Sequence, residues 1–187
     1  MSMLSSKSVL IPIDVQQAFD DPVWGRRNNR DMEQRGLALL AAWRAAGRPV
    51  INVKHNSVEP DSTLRPDRPG NAFKPGFEPQ DGEALIEKTV NAAFIGTTLE
   101  ADLRGQGIEQ IVLFGLTSDQ CVSTTARVGA NLGFDVLVVG DACVAFDQKG
   151  PEGEAVSAEH IHLAHLTTLN TEFGRVVNSA AVIAALD

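Results

Sequence analysis

The chain has 187 residues, 43% of them hydrophobic and 21% charged, with a net charge of −8 at neutral pH. That length suits a single domain, residues 1–187, with a full core, and the composition is that of a soluble globular protein. The acidic balance excludes nucleic acid and anionic membrane as expected partners, because both need clustered Lys and Arg, and no apolar run approaches the roughly 20 residues that span a bilayer.

Residues 1–7 lack the apolar stretch of a signal peptide and read as a short disordered start. Two cysteines, Cys121 and Cys143, make no disulfide framework, so reduced thiols in the cytoplasm are the expectation. Ser8 to Asp14 is a short apolar run ending in an acid. Pro12 within it removes a ladder donor, which is awkward for a central strand. Asp31 to Ala46 reads as a helix, with Leu37, Leu40, Ala41 and Arg44 along one side, stopped by Gly47 and Pro49. Val50 to Val53 is the second strand. Asn56 to Pro79 is a long loop rich in Pro, Asp and Gly, and loops of that length in a compact domain are usually functional. Thr89 to Phe94 reads as a short extended piece. A helix to about Gly105 follows, opened by a capping box of Thr97 and Glu100. Gln110 to Leu116 is the third clear strand, Cys121 to Leu132 a helix stopped by Gly133, and Phe134 to Val139 the fourth strand. Ala155 to Leu166 reads as a helix, Thr167 to Leu169 as a final short strand, and Asn178 to Leu186 as the closing helix.

Short strands that are apolar on both faces, alternating with helices, call for an α/β fold: a three-layer sandwich with a central, mostly parallel sheet flanked by helices on both faces. Crossovers are right-handed in such sheets, and ligands bind beyond the carboxyl ends of the strands. Asp14, Asn56 and the segment Thr117 to Cys121 all fall at carboxyl ends.

Cys121 carries the most information. It sits where an apolar run ending at Gly115 hands over to a helix. The free N–H groups and the dipole of a first helical turn favour thiolate over thiol and offer donors to an oxyanion. The plain alternative is a small buried hydrophobe, as most free cysteines are. A cysteine nucleophile needs a group to take its proton and a charge to balance the pair. His160, His162 and His165 lie on one predicted helix; His162 and His165 share a face without a third ligand, so no metal site is expected. His55 follows the second strand, either lining a pocket or as a plain loop residue. Asp14 ends an apolar strand, where a carboxylate costs free energy unless paired. It either caps the next turn or accepts a thiol proton beside a cation, for which Lys88 is a candidate if it is not an ordinary surface lysine. Cys143 has no base in view and reads as structural. A redox sensor is disfavoured because Cys121 has no nearby resolving cysteine in sequence. Neither G-x-G-x-x-G nor a P-loop occurs, so NAD, ATP and other cofactors are not expected.

Four segments together resemble the isochorismatase-like cysteine hydrolases: Ile13-Asp14-Val15-Gln16-Gln17-Ala18-Phe19, Lys88 to Leu99, Gly115 to Arg127, and Asn131 to Ala142. The resemblance covers nearly the whole chain in order. It implies a triad of Asp14, Lys88 and Cys121, in which Asp14 moves protons, Lys88 balances charge and Cys121 attacks a carbonyl. It also implies a cis peptide at Leu116–Thr117 and an oxyanion hole made by the backbone N–H groups of Thr117 and Cys121. Phe19, Trp24, His55, Phe94, Ser118 and Gln120 would stand near the mouth as substrate pocket. Arg26, Arg27 and Arg65 are candidates for a substrate carboxylate, or else solvated loop charges. The metal motif of nicotinamidases is broken here, since Val53-Lys54-His55-Asn56 lacks its aspartate, and Asn91 stands where a small serine is common. The implied activity is hydrolysis of a C–N bond in a small amide or ureide through a thioester. The alternatives are an isochorismatase-type enol-ether hydrolase and a non-catalytic binding protein on the same fold. Kinship further implies a homo-oligomer, dimer or tetramer.

Overall fold

Apolar runs dictate a sheet, and the computed structural model, which describes residues 3–186, shows how they pair. In chain order the strands are β1 (Ser8–Ile13), β2 (Ile51–His55), β3 (Ala84–Lys88), β4 (Gln110–Leu116), β5 (Asp135–Val144), β6 (Gln148–Lys149), β7 (Ala155–Val156) and β8 (Arg175–Val177). Six of them form one parallel sheet in the order β3-β2-β1-β4-β5-β8; β6 and β7 make a small separate antiparallel pair. The helices are α1 (Met32–Ala45), α2 (Leu99–Gly105), α3 (Cys121–Asn131), α4 (Ala158–Thr168) and α5 (Ser179–Ala184). Side chains alternate across a strand, so β4 sends Ile111 toward Gly129 of α3 and Phe114 toward Gly36 of α1 on the other face. Helices therefore cover both faces, as the apolar strands require. No helix among the described residues is long and apolar enough to cross a membrane.

Pro12 does sit in an inner strand. The N–H groups of Leu10 and Asp14 bond to the Pro49 and Val53 carbonyls of the β2 side, at 3.1 and 3.0 Å. Pro12 falls between them, so the sheet loses a single rung there while the β4 side keeps its register, Pro12 opposite Phe114.

Several expected elements are corrected. The extended piece expected at Thr89–Phe94 lies instead at β3, which ends at Lys88. β3 is an outer strand with exposed and buried residues alternating, so it lacks the continuous apolar run of its neighbours. Thr167–Leu169 is not a strand. Thr167 and Thr168 donate their hydroxyls back to Leu163 O and Ala164 O at 2.7 and 3.1 Å, which holds two β-branched residues in α4. The chain then makes a π-helical turn, Leu169–Phe173, and pairs only at β8. The capping box of Thr97 and Glu100 does not close: Thr97 Oγ1 accepts from the Leu99 N–H at 3.3 Å, and Glu100 pairs with Arg104. Of the expected disordered start, residues 1 and 2 lie outside the described residues. Leu4 is buried in the core, and the Ser5 N–H donates to Gln110 Oε1 at 2.9 Å.

β4 and β5 pair regularly up to Leu113–Val138 and resume at Gly115–Cys143 after a shift of register. Gly115 has φ +131°, and a Cβ there would overlap the Ile13 carbonyl oxygen of β1. Close approach of β1 and β4 thus requires glycine two residues before the turn that leads to Cys121. Gly115→Ala is expected to cost about 3 kcal/mol or more of stability, from strain plus backbone overlap. Urea unfolding measures this, and a loss under about 1 kcal/mol would contradict the account.

Candidate active site

Four neighbouring strands each deliver one ionisable or nucleophilic group to the carboxyl edge of the sheet. β3 ends at Lys88 and β2 at His55, directly paired in register. β1 is followed by Asp14, and the turn after β4 leads into Cys121 at the start of α3. Asp14 has φ +51°, a left-handed conformation that Asp tolerates better than most residues; its N–H still reaches back to Val53 O. The side chains of Asp14 and Lys88 are fully buried, and Cys121 is only 6% exposed.

Lys88 Nζ is the centre of the group. It donates to Asp14 Oδ2 at 2.6 Å, to His55 Nδ1 at 2.8 Å and to Cys121 Sγ at 3.4 Å. An ammonium has three N–H donors, and here three acceptors surround it. A neutral His55 accepts through Nδ1 and so carries its proton on Nε2. Burial, and then the Lys88 charge, pull the His55 pKa down to about 4, which keeps the ring neutral near pH 7.

Burial pushes Asp14 above the ordinary carboxylate range, although the Lys88 charge and hydrogen bond work the other way. Cys121 is also raised, by burial first and by the Asp14 charge second. The start of a helix was expected to lower this thiol's pKa; the direction is the reverse, because desolvation and the neighbouring carboxylate outweigh the favourable charges. Cys121 therefore rests as a thiol, with Lys88 Nζ hydrogen-bonded to both its sulfur and Asp14. Asp14 Oδ1 has no hydrogen-bond partner among the described residues, so one carboxylate oxygen is held by Lys88 and the other is open.

Asp14, His55 and Cys121 also present metal-ligand atoms within 4.8 Å of one another. Lys88 Nζ lies within hydrogen-bonding reach of all three residues.

The Leu116–Thr117 peptide is cis. In the turn that follows, Ser118 N–H bonds to Val144 O and Gln120 N–H to Thr117 O, at 2.7 and 3.2 Å. Val122 and Thr124 N–H groups are also satisfied, by Thr117 O and Gln120 O. The N–H groups of Thr117 and Cys121 have no backbone partner among the described residues. Of the expected pocket residues, Phe19 stacks on Phe146 with centroids 6.1 Å apart, and Trp24 lies tilted against both rings, at 4.7 Å from Phe19 and 5.3 Å from Phe146. Gln120 and Trp24 wall one cavity, and His55 walls another together with Asn91 and Thr124. Two residues point elsewhere. Phe94 stacks on Phe134 at 5.9 Å, and Ser118 Oγ shares a 2.7 Å hydrogen bond with His162 Nδ1 of α4.

Asn91 Oδ1 comes within 3.9 Å of Cys121 Sγ, a proximity that only the fold reveals. Gln16 was seen only as part of a motif. Its side chain accepts from His55 N–H at 2.9 Å and donates to His55 O and Asn71 O at 3.1 and 2.8 Å. Asn71, from the long loop, donates to His55 O, Asn56 Oδ1 and Leu64 O. Cys143 is buried, its thiol pushed up to about 12 by burial, and its Sγ meets Val139 O at 3.3 Å.

Comparison with known proteins identifies the family. The family model described as Isochorismatase domain matches residues 8–181. The isochorismatase family protein YrdC of Bacillus subtilis is 41% identical over 180 residues, 96% of each chain. A crystal structure of an isochorismatase-family protein from Chromobacterium violaceum superposes with a TM-score of 0.95 at 47% identity, covering 100% of this chain and 96% of that one. Relatives with named activities include a streptothricin hydrolase of Streptomyces noursei, 31% identical over 92% of this chain and 69% of its own. The ureidoacrylate amidohydrolase RutB of Methylobacterium radiotolerans is 27% identical, over 95% and 78%.

Lys88→Met leaves the Asp14 carboxylate buried without a counter-charge, at a cost of about 3–5 kcal/mol near pH 8. In that variant the folded state favours protonated Asp14. Protonation relieves the penalty as pH falls toward the ordinary carboxylate value, so the loss of stability shrinks at low pH. Urea midpoints at about pH 8 and pH 5 measure the difference; an equal loss at both would contradict it.

Proposed function

Taking as premise that the chain belongs to the isochorismatase family, we propose that it is a cysteine-dependent hydrolase that cleaves the C–N bond of a small amide or ureide through a thioester. The observation that carries the reading is the sealed group of Asp14, Lys88 and Cys121, in which a thiol lies beside a carboxylate with one open oxygen. A relative named as a ureidoacrylate amidohydrolase and another named as a streptothricin hydrolase support it.

The mechanism follows from which atoms are already occupied. Asp14 Oδ1 takes the proton from Sγ as the sulfur bonds to the substrate carbonyl carbon. Transfer on attack suits a buried thiol, because a free thiolate in that setting would be costly. The N–H groups of Thr117 and Cys121 receive the developing oxyanion; removing such a donor typically costs about 10²–10³ in rate. As the C–N bond breaks, Asp14 returns the proton to the leaving nitrogen. A water then gives a proton to Asp14, attacks the thioester carbon and releases the acid, and Sγ regains its proton. Lys88 balances the negative charge as it moves between carboxylate and sulfur. His55 fixes Lys88 by accepting its third hydrogen bond.

Cys121→Ala is expected to abolish ammonia release from every amide the wild type cleaves, and Asp14→Asn to lower kcat by at least about 10²-fold. The acid limb of kcat/KM is expected above the ordinary Asp value of 3.8, because the base form of a raised carboxylate is lost at higher pH than usual. Turnover that survives Cys121→Ala, or a rate that stays flat down to about pH 4, would sink the mechanism.

A further inference from the structure

We propose that the turn before Cys121 and the segment after β5 form a substrate subsite for a cationic nitrogen group, with Asp119 as its anchor. The inference rests on the amidohydrolase reading above and names the substrate class of that site: amides that carry an ammonium or guanidinium arm.

A cavity of about 230 Å³ opens beside the turn that carries the sulfur, walled by Trp24, Thr117, Asp119, Gln120, Phe146 and Gln148. Two residues of its wall each carry a buried polar atom with no hydrogen-bond partner among the described residues: Asp119 Oδ1 and Thr117 Oγ1, the latter on a residue 3% exposed. A buried acceptor without a donor is costly, and a ligand that donates an N–H removes the cost. The second Asp119 oxygen accepts from Gln148 Nε2 at 2.6 Å. That bond fixes the carboxylate but leaves its charge uncompensated, because an amide is neutral.

His162, bonded to Ser118 next to Asp119, is held below its ordinary pKa by burial. Arg26 is shared between Asp147 and Glu159, at 2.8 and 2.6 Å, one cation against two carboxylates. Trp24 and Phe146, both of the cavity wall, are aromatic rings of the kind that attract a cation, and Trp24 is steadied by its Nε1 bond to Thr63 Oγ1 at 3.3 Å.

An anionic arm finds the opposite. Arg27 is bound to Glu33 at 2.6 Å, Arg65 to Asp67 at 2.8 Å, and Lys74 to Asp20 and Glu33. The arginines that sequence offered for a substrate carboxylate are all engaged with acids of this chain. A carboxylate would meet Asp119 instead, and like charges at that range repel.

The test compares three amides of matched length: 5-aminopentanamide (cationic), hexanamide (neutral) and adipamate (anionic). Ammonia release is measured with wild type and Asp119→Asn, and equilibrium binding by calorimetry to Cys121→Ser. The expected kcat/KM ratio of 5-aminopentanamide to hexanamide is about tenfold or more, with adipamate slowest, and Asp119→Asn brings that ratio close to one. Because the ratio is taken within one variant, a general loss of folding cancels. Equal or better turnover of hexanamide or adipamate, or a ratio that survives Asp119→Asn, overturns the proposal. Binding decides the same question where none is cleaved: a tenfold preference of Cys121→Ser for the cationic amide supports the subsite, and no preference overturns it. A kept binding preference with no cleavage counts against the amidohydrolase reading alone.

Discussion

One buried ammonium holds this site together. Lys88 Nζ binds a carboxylate from the end of β1, an imidazole from the end of β2 and a thiol from the start of α3. Burial sets the direction of each group's pKa shift, and the Lys88 contact reinforces it at His55 and opposes it at Asp14 and Cys121. Without the ammonium, a fully buried Asp14 would neutralise by taking a proton, since an isolated carboxylate in such surroundings costs far more than a paired one. With it, Asp14 keeps an open oxygen beside the sulfur. His55 must stay neutral to accept, and burial together with the Lys88 charge keeps it so.

The ammonium in turn depends on the sheet. Lys88 and His55 are opposite one another in a parallel ladder, so their side chains rise on the same side of the same edge. Asp14 can join them because the chain turns with φ +51° at the end of β1. Gln16 and Asn71 converge on the His55 backbone and tie the long loop after β2 to the same place. The group proposed as catalytic thus stands at strand ends and the start of α3, while the neighbouring cavities are walled largely by loops. This division fits a family whose members bear names for different substrates.

The sequence made the sheet legible where strands are buried on both faces, at β1, β2, β4 and the first half of β5. It hid β3, an outer strand with an alternating pattern, and β8, which follows two threonines held in helix by their own hydroxyls. Asp14, Lys88 and Cys121 were legible only through resemblance, because 74 residues separate the first two and nothing local pairs them. The bond between His55 and Lys88 was out of reach, since register alone brings them together. So was the direction of the Cys121 shift: a helix start is visible in sequence, but the burial that opposes it is not. The partners of Phe94 and Ser118 were out of reach for a similar reason. Which face of a loop or turn meets the cavity depends on packing partners, Phe134 and His162, far along the chain.

The most direct test of the central claim is a ¹⁵N NMR titration of the His55 ring. The account predicts an unprotonated Nδ1 that accepts from Lys88, a proton on Nε2, and no titration until the pH falls to about 4. A ring that titrates near its ordinary 6.5, or that carries its proton on Nδ1 at neutral pH, would contradict a charged Lys88 at the centre of the site.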